Sequence, residues 1–133
     1  MKRILVPALL FLAACSPVAK EYPVAENSFD AGREFIDACL KGDFEKAEFY
    51  MLKDSANSSY LKNIESLYRK NSREGRQQLR EASINIREVD DLSQDSSIIN
   101  YNNSFDTTAH KVKVLRKNGQ WLVDLKYTYN PNL

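Results

Sequence analysis

What this chain has little of narrows it before what it contains. His110 is its only histidine, and it has two cysteines, four glycines and four prolines in 133 residues. One histidine excludes a multi-histidine metal site, and neither His/Cys ligand spacing nor a Gly-rich phosphate loop occurs. No cofactor or metal is expected. The charges nearly cancel, with 19 Lys and Arg against 18 Asp and Glu. Without Lys2 and Arg3 the balance is 17 against 18. A chain this neutral has no electrostatic drive toward nucleic acid or an anionic membrane surface, so no nucleic-acid partner is expected. No apolar run reaches the roughly 20 residues that span a bilayer. There is no internal repeat.

The strongest positive signal is near the C-terminus. Residues 108–117 and 120–129 alternate apolar and polar side chains about Asn118-Gly119. A two-residue type I′ turn needs positive φ at both central positions, which Asn-Gly supplies. That turn sets a register: Lys117 opposite Gln120, Arg116 opposite Trp121, Val114 opposite Val123, Val112 opposite Leu125 and His110 opposite Tyr127. Leu115/Leu122 and Lys113/Asp124 fall on the other face. The face carrying Val112, Val114, Trp121, Val123, Leu125, Tyr127 and Tyr129 needs a cover, and the helices upstream are the candidates.

Those helices read from periodicity. Ser28 is expected to cap a first helix that buries Phe29, Gly32, Phe35, Ile36, Cys39 and Leu40 and ends at Gly42. Cys39 sits in that stripe as a small core hydrophobe rather than a nucleophile. Asp43 caps a second helix over residues 44–52, with Phe44, Ala47, Tyr50 and Met51 inward. Residues 53–57 read as a polar connection and 59–70 as a third helix. Residues 71–82 are ambiguous, because Gly75 weakens a helix. The charge run Arg69, Lys70, Arg73, Arg76 and Arg80, interleaved with Glu74 and Glu81, reads as a solvated face rather than an acidic-partner patch. From Ser83 the period becomes two: a strand through Ile84 and Ile86 with a break at Val89, as at a bulge, a turn at 90–95, and a strand over 98–105 with Ile99, Tyr101, Asn103 and Phe105 on one face. The expected fold class is α+β: three N-terminal helices, or four if 71–82 forms one, packed on a four-stranded antiparallel sheet.

The N-terminus gives an address. Lys2 and Arg3 precede an uncharged apolar run, residues 4–14, with the layout of a secretory signal. It closes on Leu12-Ala13-Ala14-Cys15, which resembles the lipobox of bacterial lipoproteins. The resemblance implies cleavage before Cys15 and lipidation of its thiol, which would fasten the chain to a membrane. Ser16 after the cysteine implies the periplasmic face of the outer membrane. Residues 1–14 are thus the signal peptide, 15–27 a lipidated tether containing Pro17 and Pro23, and 28–133 a single domain. With Cys15 lipidated, Cys39 has no partner for a disulfide.

Phe35 to Ala47 (F-I-D-A-C-L-K-G-D-F-E-K-A), Ala82 to Ile86 (A-S-I-N-I) and Val114 to Asp124 (V-L-R-K-N-G-Q-W-L-V-D) together resemble small bacterial lipoproteins with an uncharacterised lumazine-binding-like domain. These lie in the nuclear transport factor 2-like (cystatin-like) superfamily. The resemblance implies a curved sheet wrapped against the helices, a cone whose interior is filled or hollow. Enzymes on such cones use inward Asp, His or Tyr residues for proton transfer.

Three functions are compatible with these residues. The first is a non-enzymatic, membrane-anchored envelope module that binds a protein or peptide. The second is a carrier of a small ligand in the cone, lined by Tyr101, His110, Trp121 and Tyr127. The third is a proton-transfer enzyme at His110. The first is expected, with no catalytic residue assigned. An aromatic set of Tyr50, Tyr60, Tyr68, Tyr101, Tyr127 and Tyr129 serves either as a pocket lining or as an amphipathic core edge. For the anchor, the expected outcome is that Cys15→Ala abolishes incorporation of radiolabelled fatty acid into the chain in cells. Undiminished labelling would overturn lipidation at Cys15.

Overall fold

The computed structural model describes residues 21–132; the signal peptide, Cys15 and the first part of the tether lie outside them. Four helices precede four strands and a last short helix: α1 (Ser28–Lys41), α2 (Phe44–Phe49), α3 (Ser55–Lys70), α4 (Arg73–Glu81), β1 (Ile84–Ser93), β2 (Ser96–Asn103), β3 (His110–Lys117), β4 (Gln120–Asp124) and α5 (Lys126–Tyr129). The sheet is antiparallel throughout, in the order β1-β2-β3-β4, and does not close. The α+β class and the four-stranded sheet are as expected.

The helix boundaries follow their caps. Asn27, not Ser28, caps α1: its side chain accepts from the Asp30 amide at 2.8 Å, while Asp30 Oδ2 accepts from the Glu26 amide at 3.1 Å. Ser28 is instead a buried first-turn residue whose hydroxyl accepts from Ser97 on β2 at 2.9 Å. Gly42 ends α1 with φ 72°, and a Cβ there would stand 2.6 Å from the Tyr68 ring, so the position requires glycine twice over. Asp43 caps α2 as expected, accepting from the Lys46 amide at 3.1 Å. α2 stops at Phe49 rather than near residue 52, because the backbone of residues 50–52 pairs with β4. The Val123 amide donates to the Tyr50 carbonyl and the Leu52 amide to the Val123 carbonyl, each at 2.8 Å. The outer edge of β4 is thereby covered. Ser72 caps α4, settling the ambiguous stretch as helix.

α1 lies on the sheet and supplies most of the core. Ala31, Phe35, Ile36 and Ala38 pack with Ile99, Val112, Val114 and Val123, all nearly or fully buried. Each large aliphatic contributes on the order of 1.5–3 kcal/mol on full burial. The stripe is rotated from the expected one: Ala31 and Ala38 are inside, and Phe29 is 42% exposed. Phe105, expected on the inner face of β2, lies beyond the end of that strand and is also exposed.

The hairpin register is the expected one from Lys117↔Gln120 to Lys113↔Asp124, with φ 51° at Asn118 and 76° at Gly119. It ends there. Leu125 takes helical dihedrals and starts α5, so neither Val112↔Leu125 nor His110↔Tyr127 forms; His110 pairs with Tyr101 on β2 instead. β1 is longer than expected, running to Ser93 through residues read as a turn, with register shifts between Ile86 and Glu88 and between Asp91 and Ser93 rather than a break at Val89. The tether expected over 15–27 also gives up its last residues to the domain. Tyr22 packs on the core, Ala25 is buried, and the Tyr50 hydroxyl donates to the Pro23 carbonyl at 2.5 Å.

The other departure is at residues 53–57, which are not a polar connection. Asp54 caps α3, and Asn57, 0% exposed, is the best-buried polar side chain described. Its Nδ2 donates to Asp124 Oδ1 at 3.1 Å and to Asp54 Oδ2 at 3.2 Å, and its Oδ1 accepts from the Leu125 amide at 2.7 Å. Lys126 pairs with Asp54 and, at 3.4 Å, with Asp124. Removing the amide strands the buried Leu125 N–H and takes one of the donors from Asp124 Oδ1, which keeps the Lys126 amide. Asn57→Ala is therefore expected to destabilise the fold by about 3 kcal/mol, read from urea denaturation. A loss under about 1 kcal/mol would show that water replaces the network.

Candidate functional site

A cleft of about 410 Å3 opens between the helices and one end of the sheet. Phe35, Ile36, Cys39 and Leu40 from the C-terminal half of α1 form one wall. Ile64, Leu67 and Tyr68 of α3 and Leu79 of α4 form the next. Tyr101 and Asn103 of β2 and His110 and Val112 of β3 supply the sheet side, and Leu125, Thr128 and Tyr129 close the end. The volume is within the range of small-molecule sites, and the walls have their usual make-up of apolar groups with a few polar ones.

Local structure positions each wall. The sharp turn at Gly42 and the packing of Tyr68 against it set α3 beside α1, with Phe44 edge-on to Tyr68 at 5.6 Å. Arg80 donates to the Tyr68 hydroxyl at 3.1 Å, tying α4 to α3. Tyr60 of α3 stacks on Tyr129 of α5 at 4.4 Å and 16°, and the Thr128 hydroxyl donates to the Lys111 carbonyl at 2.8 Å. The short terminal helix is thus held at the cleft by contacts from both layers.

The expected lining residues divide. Tyr101 and His110 line the cleft, with ring centroids 5.6 Å apart. Trp121 does not; it sits near the hairpin turn with the Arg116 guanidinium 5.3 Å from its ring centre. Tyr127 is not among the lining residues either, because the chain leaves the sheet at Leu125 and carries it out of register. Of the wider tyrosine set, Tyr68, Tyr101 and Tyr129 line the cleft, Tyr60 backs Tyr129, and Tyr50 serves the Pro23 contact. Sequence reasoning missed Asn103 as a lining residue, although its place two residues from Tyr101 on one strand face was legible. It also missed Leu67 and Leu79, which lie in or beside the segment whose helix was uncertain.

The electrostatics favour neutral groups. Burial pushes the Cys39 thiol up to about 12 and raises the Tyr101 phenol as well, so neither is an anion near neutrality. This agrees with Cys39 as a packing residue. At the exposed rim, hydrogen bonds from Thr108 and then His110 hold Asp106 down at about 2. His110 Nε2 lies 3.1 Å from Asp106 Oδ2. Among the described residues no group of three His, Cys, Asp or Glu side chains is arranged to hold a metal, and no helix is long and apolar enough to cross a membrane.

Compared with known proteins, the chain matches no protein-family model and no curated sequence.

The Asp106 contact predicts a pH signature. A carboxylate whose folded value is depressed adds stability above its ordinary range, about pH 4, that is lost as pH falls through about 2. Asp106→Asn should therefore melt below the wild type near neutrality, with the gap narrowing on acidification through that window. A gap that stays constant with pH would show that the charge on Asp106 contributes nothing.

Proposed function

We propose that this chain is a lipoprotein of the bacterial envelope, anchored through Cys15 on the periplasmic face of the outer membrane, that carries a small apolar molecule. We further infer a cone-like fold of the nuclear transport factor 2-like superfamily, with the cleft as its open interior. The observation that carries the ligand reading is the cleft itself: apolar on three sides, about 410 Å3, and not filled by the side chains around it. A filled interior would have favoured the protein-binding module expected from sequence. The small-ligand reading, second at that point, therefore comes first here.

The protein-binding reading keeps one supporting observation. Leu67 and Tyr129, both on the cleft, are 70% and 50% exposed, and they offer apolar surface to an inserted segment. For proton transfer, His110 and Tyr101 are adjacent and His110 is oriented by Asp106. With that carboxylate outside the cleft lining, we assign His110 a lining role rather than a catalytic one.

The test is native mass spectrometry on the full chain purified from its own envelope, compared with its denatured mass. A mass excess the size of a small organic molecule, lost on denaturation, is the expected result. A bare chain would remove the carrier reading, and an excess of protein size would move the function to a partner.

A further inference from the structure

The polar groups of the cleft specify more than an apolar occupant. The Tyr101 hydroxyl makes no hydrogen bond to any described residue, although it stands among the cleft-lining groups near Cys39 and Tyr129. Asn103 is more informative, because its orientation is fixed. Its Oδ1 accepts from the Phe105 amide at 2.9 Å and from the Asp106 amide at 2.8 Å. Two backbone N–H donors on one atom identify that atom as the oxygen and leave Nδ2 as the other end of the amide. That Nδ2 has no acceptor among the described residues, while Asn103 is 7% exposed and lines the cleft. Two hydrogen-bond donors on one face of β2, two residues apart, thus stand in a mostly apolar cleft without protein acceptors. Neither is sealed from solvent, so water meets both until a ligand oxygen displaces it.

What they meet is constrained by charge. His110 is engaged with Asp106 across the rim, so its imidazole brings no uncompensated positive charge to the chamber. The surroundings also disfavour anions, as the raised Cys39 and Tyr101 show. A carboxylate placed there would lose its hydration with no cation to replace it. Resting on the reading of the cleft as a ligand site, we propose that its occupant is an uncharged apolar molecule bearing a carbonyl group, of the ester or ketone class, whose oxygens accept from the Tyr101 hydroxyl and Asn103 Nδ2.

The experiment uses the full chain in bilayer nanodiscs, with tritiated methyl undecanoate as the probe and empty nanodiscs subtracted. Unlabelled undecanoate and undecane are the competitors, matched in chain length but carrying a charged head or none. Saturable binding of the ester is expected, with both competitors weaker by about tenfold or more. Tyr101→Phe keeps the ring beside His110 and removes its hydroxyl, and should weaken the ester roughly three- to tenfold, so that its advantage over undecane narrows. Asn103→Asp keeps the oxygen that takes the Phe105 and Asp106 amides but puts a carboxylate oxygen where Nδ2 stood, and should weaken the ester by about tenfold or more. Undecane competing as well as the ester would overturn the carbonyl assignment and leave the cleft as an unselective apolar site. Undecanoate competing equally would overturn its neutrality. An ester affinity untouched in both variants would overturn the two donors. Absence of any saturable ester binding would overturn the proposal, and the envelope mass measurement then decides separately whether the cleft carries a ligand at all.

Discussion

One buried amide holds together parts of the chain that are far apart in sequence. Asn57, on the first turn of α3, takes the Leu125 amide and gives to Asp124, and those two residues end β4. The Leu125 N–H lies on the outer side of β4, the side on which the Val123 amide meets Tyr50, and Asn57 takes it up where the strand ends. Asp124 Oδ1 then accepts from the Lys126 amide at 3.1 Å and starts α5. Everything at that end of the molecule follows. α5 swings toward α3, Tyr129 reaches Tyr60, and the end wall of the cleft is built. A polar network this buried is stable only when all its members are present, which is why it fixes a single arrangement.

The cleft exists because the two layers diverge where their contacts change character. Near the start of α1 the helix lies directly on β2, with Ser28 bonded to Ser97. Toward its other end the small residue Cys39 and the aromatic Tyr101 face each other across the cleft, and α3 and α4 stand off to the side. Tyr68 holds this spacing. It is pressed on one side by Gly42 and bonded on the other by Arg80, so α3 cannot collapse inward without losing both contacts. The opening is a product of packing geometry, and the donors at its sheet end are a product of strand alternation.

Sequence legibility followed the range of the deciding interactions. Asn118-Gly119 fixed its hairpin locally, so the register was readable to the residue, and Asp43 and Gly42 were readable as cap and stop for the same reason. Asn57 was not. Residues 53–57 look like a polar connection, and only Leu125 and Asp124, nearly seventy positions on, make the asparagine a core residue. The same distant contact holds the chain where it leaves β4, and that departure takes Tyr127 out of the cleft. The outer half of β1, rich in Asp and Glu, carries no periodic signal and becomes strand because β2 pairs with it. Of the site, Tyr101 and His110 were legible from alternation. Trp121 was assigned to the right sheet face but lies too far along it.

The Tyr50–Pro23 hydrogen bond has a consequence for how the domain meets the membrane. Under the proposed anchorage, the span from Cys15 to Tyr22, the first described residue packed on the core, reaches about 24 Å at full stretch. A leash running on to Ser28 would reach roughly 45 Å. Under that anchorage the domain would stay within the shorter distance of the bilayer, and a pull on the lipid would fall first on Tyr22 and the Tyr50–Pro23 hydrogen bond rather than on α1.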